Sequence, residues 1–461
     1  MKNKGTHRKV FSLLLAAVLL LAGLTACGLA PSATPTGPSG SSQETKDQTT
    51  LAAETPACGG DETVIWAEKM SVRKTELIQS TMNADSFDER LLAFLSERAD
   101  GNYMASPLSF RYALGLLLAG ANGETKAELL KALGVSSEEE WIAHCLDFNG
   151  FVEYYAADLE REVKAYEEQK KNGWLPADAK APFRALRVAN SVWKADWVTE
   201  EFKELYRESV EKNYAAEYRS FTPRNVVERI NEWADIKTEH MIPKLLPDNY
   251  PTEDLAVVLM NALYFKDSWV AEFSEALTKE DDFRTKSGNT VKKDFMTVTD
   301  YFSYYEDGST RLVILPMKGG VSMAFVIGSG ENLSEKISKA ERRNVTVTIP
   351  KIDLETEFSN GEFVDFLKRY GVSLAFDPDG ADFSAMLDHK IYVSDIIQKT
   401  RIKLDEEGVE AAAVTAIMMN ETAYHEPEKP VIFTADEPFA FFIYTTCNET
   451  TAVMFAGEIV E

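Results

Sequence analysis

Asp405-Glu406-Glu407-Gly408-Val409-Glu410-Ala411-Ala412-Ala413 leads into Val414-Thr415-Ala416-Ile417-Met418-Met419-Asn420-Glu421-Thr422. From Gly408 to Thr422 there is no proline, and no side chain from Ala411 to Ala416 is larger than valine. Val409, Ala411, Ala413, Thr415, Ile417 and Met419 form a mostly apolar face with period two, while Glu410 and Asn420 lie on the other. That is the pattern of a β-strand. An ordinary strand in a finished sheet would read the same way, but the flanks argue otherwise. Four charged or turn-forming residues precede it, and Asn420 to Pro430 is polar and contains proline. The segment is competent to be a strand yet ends in a loop.

Upstream, the first half of the chain is mainly helical. Phe87, Leu91, Phe94 and Leu95 share one helical face. Thr125 to Leu133 is amphipathic, with Gly134 where a C-terminal cap belongs. Val226 to Met241 places Ile230, Trp233 and Ile236 on one side. Strands dominate later: 257–265, 312–317, 321–327, 345–349, 391–397, 439–446 and 452–460. Several are continuous apolar runs, as expected of strands buried on both faces. Helices grouped before strands imply an α+β fold.

A length of 461 residues allows about three domains, though one large domain with an appendage fits as well. Hydrophobic residues make up 45% and aromatics 11%, enough for a sizeable core. A formal charge of −25 argues against nucleic acid or an anionic membrane surface as partner. Basic residues come in ones and twos, such as Lys292-Lys293, so heparin is not expected either. Neither a metal nor a cofactor is expected: His144, His240, His389 and His425 have no metal-ligand spacing, and no phosphate-loop or nucleophile-elbow pattern occurs. Ser71-Val72-Arg73-Lys74 matches the S-x-x-K of penicillin-recognising enzymes. However, Lys286-Ser287-Gly288 precedes the partial match Ser394-Asp395-Ile396, which reverses the order that chemistry needs. The chain is not expected to be an enzyme.

The N-terminus reads as an export signal. Lys2, Lys4, Arg8 and Lys9 precede an uncharged apolar run from Val10 to Leu24, too short to span a membrane at about 20 residues. Leu24-Thr25-Ala26-Cys27 resembles a bacterial lipobox, with Cys27 as the acylated thiol. Residues 1–26 are then a lipoprotein signal peptide, 27–60 a Pro/Ser/Thr/Gly-rich flexible tether and 61–461 the functional domain. Such a protein would be exported and lipid-anchored at the bacterial cell envelope, or shed outside the cell. Cys58, Cys145 and Cys447 match no disulfide framework or zinc spacing. Cys145 and Cys447 read as core residues, and Cys58 as a free thiol.

Six further stretches occur in order: Asn102-Tyr103-Met104-Ala105-Ser106-Pro107-Leu108-Ser109; Leu118 to Thr125; Ala189-Asn190-Ser191-Val192-Trp193; Ile230-Asn231-Glu232-Trp233; Asn261-Ala262-Leu263-Tyr264-Phe265-Lys266 with Trp269; and Glu437-Pro438-Phe439 after the segment quoted first. From about Asp85 to Glu461 the chain resembles the serpins, a family of serine protease inhibitors. The resemblance implies helices packed around a large central sheet, two further sheets and an exposed reactive-centre loop, in a monomer. It implies that Ser106, Ser109 and Asn261 line a shutter beneath the main sheet and that Trp193 marks the breach at its top. Gln398 stands where the family usually has a shutter histidine. Glutamine can still donate and accept a hydrogen bond, but it cannot supply pH dependence.

The same resemblance implies a mechanism. A serine protease attacks the loop and forms an acyl-enzyme, and the freed hinge then inserts into the main sheet, dragging the protease with it. Glu406, Glu407, Gly408, Val409, Glu410, Ala411, Ala412, Ala413 and Val414 form the hinge. Its glycine and three consecutive alanines favour an inhibitor, and a non-inhibitory binding protein or chaperone is the alternative. Counting forward from Gly408 places the reactive bond at Thr422–Ala423, whereas counting back from Val431 and Pro438 points to Tyr424. The first count is preferred, because hinge length governs insertion. No Lys or Arg lies between Leu404 and Glu428, so elastase-like or subtilisin-like rather than trypsin-like targets are expected.

Overall fold

The computed structural model of the protein describes residues 87–176, 179–328, 333–359, 361–409, 429–447 and 450–461, all within the compact unit Gly59–Glu461. α1 (Phe87–Ser96) buries Phe87, Leu91, Phe94 and Leu95, as their spacing requires. β1 (Tyr103–Ala105) leads into α2 (Pro107–Gly120). Ser106 caps this helix, its hydroxyl accepting from the Ser109 amide at 3.2 Å, and Pro107 opens it without an amide to leave unpaired. α3 (Gly123–Leu133) stops at Gly134, which adopts the left-handed φ of 73° foreseen for a cap. α4 (Glu138–Lys171) runs for 34 residues, with three glutamates in its first turn and two lysines in its last, matching the helix dipole.

β2 (Ala185–Ala195), α5 (Glu204–Tyr214), β3 (Ala216–Phe221) and α6 (Val226–Lys237) follow. In α6, Ile230 and Trp233 are buried, but Ile236 is 57% exposed. The helix ends four residues earlier than its apolar pattern suggests, and its last turn carries no core contact for Ile236. The remaining elements are β4 (Val257–Ser268), β5 (Lys279–Arg284), β6 (Thr290–Glu306), β7 (Thr310–Pro316), β8 (Ser322–Gly328), α7 (Leu333–Ser338), β9 (Glu341–Pro350), β10 (Ile352–Phe358), α8 (Glu362–Arg369), β11 (Gln398–Leu404), β12 (Gly408–Val409), β13 (Val431–Thr434), β14 (Phe439–Cys447) and β15 (Thr450–Ile459).

The strands form two ladders. The central sheet has the order β10-β11-β12-β4-β2-β3, and a nine-stranded ladder runs β1-β15-β14-β8-β7-β6-β9-β13 with β5 on β6. The second ladder consists of two leaves that share β6. Thr290–Phe295 pair β5, Phe295–Tyr304 pair β9, and Ser303–Glu306 pair β7. These are the two further sheets expected, joined through one long strand. α2 packs against both β4 and β15, so the helix that Ser106 caps lies beneath the central sheet.

One expected strand is absent. Residues 391–397 carry no strand, and the strand is instead Gln398–Leu404. The apolar run Ile391-Tyr392-Val393 was the more hydrophobic candidate. However, Gln398-Lys399-Thr400-Arg401-Ile402-Lys403-Leu404 alternates, burying Gln398, Thr400, Ile402 and Leu404 against the core, and alternation suits a strand with one wet face. Cys145 is a buried free thiol, as expected of a core residue, and burial pushes its pKa up.

Candidate functional site

The turn Asp405-Glu406-Glu407 carries the chain from β11 into β12. Val409 lies opposite Leu404 of β11 and opposite Asp267 of β4, and Gly408 lies opposite Ser268. The start of the hinge is therefore a two-residue strand paired antiparallel on both sides. Gly408 has φ of 150°, and a Cβ there would overlap the Asp267 carbonyl oxygen. Only glycine fits this approach.

Three contacts fix the turn. The Trp269 amide donates to the Glu407 carbonyl at 3.0 Å, its indole Nε1 to the Asp405 carbonyl at 3.1 Å, and the Phe273 amide to the Glu406 carbonyl at 2.9 Å. Glu406 is buried, and its Oε1 accepts from Thr278 at 2.6 Å and from Lys351 at 2.8 Å. Burial alone would raise this carboxyl, but the bonds from Lys351 and Thr278 outweigh it and hold it below the ordinary glutamate value. Glu407 moves the other way, raised by burial and by Asp405, Glu272 and Glu275, with Lys180 at 4.0 Å as its counter-charge.

Beyond Val409, β4 and β11 border a cavity of about 710 Å³ whose lining includes Ser106, Ser109, Asn261, Gln398 and Val409. Gln398 and Ser106 exchange two hydrogen bonds: the Ser106 amide donates to Oε1 at 2.7 Å, and Nε2 donates to the Ser106 carbonyl at 2.9 Å. The Ser106 hydroxyl donates to the Met454 carbonyl at 2.6 Å. Asn261 uses its Nδ2 to bond Asn190 at 2.7 Å, and its buried Oδ1 has no partner among the described residues. The four polar side chains assigned to a shutter thus meet around one cavity.

A family model described as serpin (serine protease inhibitor) matches residues 82–461. The chain belongs to the serpin family. It is 30% identical over 395 residues to Iripin-2 of Ixodes ricinus, covering 81% of this chain and 91% of that one. It is 30% identical over 407 residues to the leukocyte elastase inhibitor of Equus caballus, covering 82% and 98%. The crystal structure of a thermophilic serpin, Tengpin, in its native state superposes with a TM-score of 0.62 at 26% identity, covering 86% of this chain and 94% of that one. These likenesses establish the serpin fold, and the family is one of protease inhibitors rather than of enzymes.

One residue of this serpin lies elsewhere than expected. Trp193 pairs with Val258 at the opposite end of β4 from the hinge, where it is fully buried with the guanidinium groups of Arg219 and Arg229 over its ring. It is not at the top of the sheet. The tryptophan that touches the hinge is Trp269, which was legible as part of the Asn261-to-Trp269 stretch but had been given no role. Lys351, Thr278 and Asp267 also escaped the sequence reading, since nothing in the linear order links them to residues 405–409. Glu410 to Val414, Thr422, Ala423, Tyr424, Cys27 and Cys58 lie outside the described residues. Among the described residues no group of three or more His, Cys, Asp or Glu is placed to hold a metal ion.

Proposed function

We propose that this serpin is a suicide-substrate inhibitor of serine proteases that traps the acyl-enzyme by inserting its cleaved loop between β4 and β11. The observation that carries the reading is the seating of Gly408 and Val409 between those strands, with the cavity continuing along both beyond them. Continuing the two ladders one residue per step sets Ala411 opposite Phe265 and Ile402, and Ala413 opposite Leu263 and Thr400. Thr415 arrives opposite Asn261 on one side and Gln398 on the other. It carries the one hydroxyl on an otherwise apolar face, and it comes beside the Asn261 Oδ1 that lacks a partner among the described residues.

The chemistry is that of an interrupted hydrolysis. The protease serine oxygen bonds to the carbonyl carbon of Thr422, the Thr422–Ala423 amide bond breaks, and the freed amine takes up the proton that the serine gave to its general base. Water would complete the reaction. Insertion competes with that step by adding about a dozen backbone hydrogen bonds, together on the order of 10 kcal/mol. The small side chains at Ala411, Ala412 and Ala413 keep insertion fast.

The absence of Lys and Arg from Leu404 to Glu428 supports elastase-like or subtilisin-like targets. A trypsin-type pocket would keep a buried carboxylate unpaired. The 30% identity to a leukocyte elastase inhibitor supports the same class. The signal and Cys27 support export and a lipid anchor, which would hold a monomeric inhibitor at the cell envelope without heparin. Incubation with elastase, subtilisin and trypsin, followed by denaturing electrophoresis and mass spectrometry of the released peptide, tests the reading. A covalent complex with elastase or subtilisin and a peptide beginning at Ala423 are expected. Loop cleavage by every protease with no complex would make the protein a substrate or binding protein instead.

A further inference from the structure

Asp267 stands opposite Val409, and directly paired residues of antiparallel strands carry their side chains on the same face. Asp267 is 1% exposed. Its Oδ2 accepts the Gly319 amide at 2.9 Å and its Oδ1 the Ser268 amide at 2.8 Å. From α4, the Tyr155 hydroxyl reaches the same place. It donates to the Lys266 carbonyl at 3.0 Å and also lies within hydrogen-bonding reach of the Asp267 carboxyl. The Tyr155 ring packs so closely on Gly319 that a Cβ there would collide with it. Behind the ring lies Arg184, 5.2 Å from its centroid and ion-paired to Asp158 and Glu162 of α4.

We propose that Asp267 is a positioning residue for the hinge: its protonated form holds Gly408 and Val409 in the sheet, and its ionised form releases them. The chemistry lies in one hydrogen. A tyrosine hydroxyl has a single donor. That hydrogen is divided between the Lys266 carbonyl and the Asp267 carboxyl, so it stabilises the carboxylate only in part. An ionised Asp267 competes for the hydrogen and sets a charge beside the Val409 methyl groups. Withdrawal of Val409 lets water reach that charge.

Burial pushes the Asp267 carboxyl up to about 6, with the Gly319 and Ser268 amides, Arg184 and Tyr155 pulling the other way. If the hinge withdraws, the carboxyl returns toward its ordinary value. The seated state therefore binds the proton more tightly. Its advantage is complete below the ordinary aspartate range and is lost as pH rises through about 6. The other ionisable groups nearby are engaged elsewhere. Lys266 lies over the Phe183 ring, Lys318 pairs with Glu272, Glu406 with Lys351, and Glu407 with Lys180 amid Asp405 and Glu275.

The inference rests on the hinge being mobile, but its test needs no protease, so it can fail independently of the inhibitory reading. Hydrogen–deuterium exchange of the uncleaved protein is followed in a peptide covering Leu404–Val409 from pH 5 to pH 8, corrected for intrinsic exchange. Protection about tenfold greater at pH 5 than at pH 8 is expected, and Asp267→Asn should flatten the profile. Tyr155→Phe, which keeps the ring, should move the midpoint upward, because the hydroxyl stabilises the carboxylate. A flat profile in the parent protein overturns the proposal, as does an unchanged profile in Asp267→Asn. If Asp267→Asn does not fold, an unchanged midpoint in Tyr155→Phe overturns it.

Discussion

Gln398 grips Ser106 by both of its backbone polar groups, accepting from its amide at 2.7 Å and donating to its carbonyl at 2.9 Å. This pair ties β11 to the residue that caps α2. The amide side chain does what a neutral imidazole could also do, donating from one atom and accepting at another.

Replacing Gln398 with leucine leaves the buried Ser106 amide unpaired, at about 1–3 kcal/mol, and takes one of two donors from the Ser106 carbonyl, which still accepts from the Phe110 amide. The expected result is a large fall in the thermal midpoint of the intact protein. Gln398→His should retain much of the stability, because imidazole can bond at least one of the two groups. Thermal unfolding followed by circular dichroism distinguishes the three proteins, and equal midpoints would contradict the role assigned to this pair.

Glu406 gives a prediction about acid. Its carboxyl is held below the ordinary glutamate value when folded, so its contribution to stability is present above that value and is lost as pH falls through the lowered one. Glu406→Gln should therefore destabilise the protein at pH 7 by roughly 1–2 kcal/mol, less than a fully buried ion pair because Lys351 is partly exposed. The difference between the two proteins should shrink below about pH 4. Urea unfolding at pH 7 and pH 3.5 measures it, and a difference that grows in acid would contradict the account.

The fold was largely legible because its signals are local: the helical face of Phe87, Leu91, Phe94 and Leu95, and the Gly134 cap. What the sequence hid was pairing across distance. Trp193 and Trp269 both follow strand-like stretches, and only the antiparallel register of β2 on β4 shows that they sit at opposite ends of the sheet. Residues 391–397 misled for a related reason. An apolar run reads as strand whether it pairs or lines a cavity, and here it lines the cavity. Lys351 and Glu406 are 55 positions apart, and no periodicity connects them.

Insertion speed should be set by the small side chains of the hinge. Ala412→Pro removes a backbone donor from the inserting strand, and Ala413→Glu places a charge on its core-facing side. Both variants should still be cleaved at the normal rate while inhibition is lost. The ratio of protein consumed to protease inhibited checks this, and an unchanged ratio in both would contradict strand insertion.

Cys27→Ser should release the protein from the membrane fraction or block its processing, since a hydroxyl cannot take the place of the acylated thiol. Fractionation of cells expressing each form decides the matter. A normally processed, membrane-bound variant would refute the lipid anchor.

The central claim is that the two-residue strand Gly408–Val409 is the start of a longer one that forms after cleavage. Differential scanning calorimetry of the intact and the loop-cleaved protein tests it most directly. The account predicts that cleavage raises the melting temperature by about 10 °C or more, the scale that on the order of 10 kcal/mol gives in a domain of this size. Equal melting temperatures, or a lower one after cleavage, would mean that the loop does not enter the sheet.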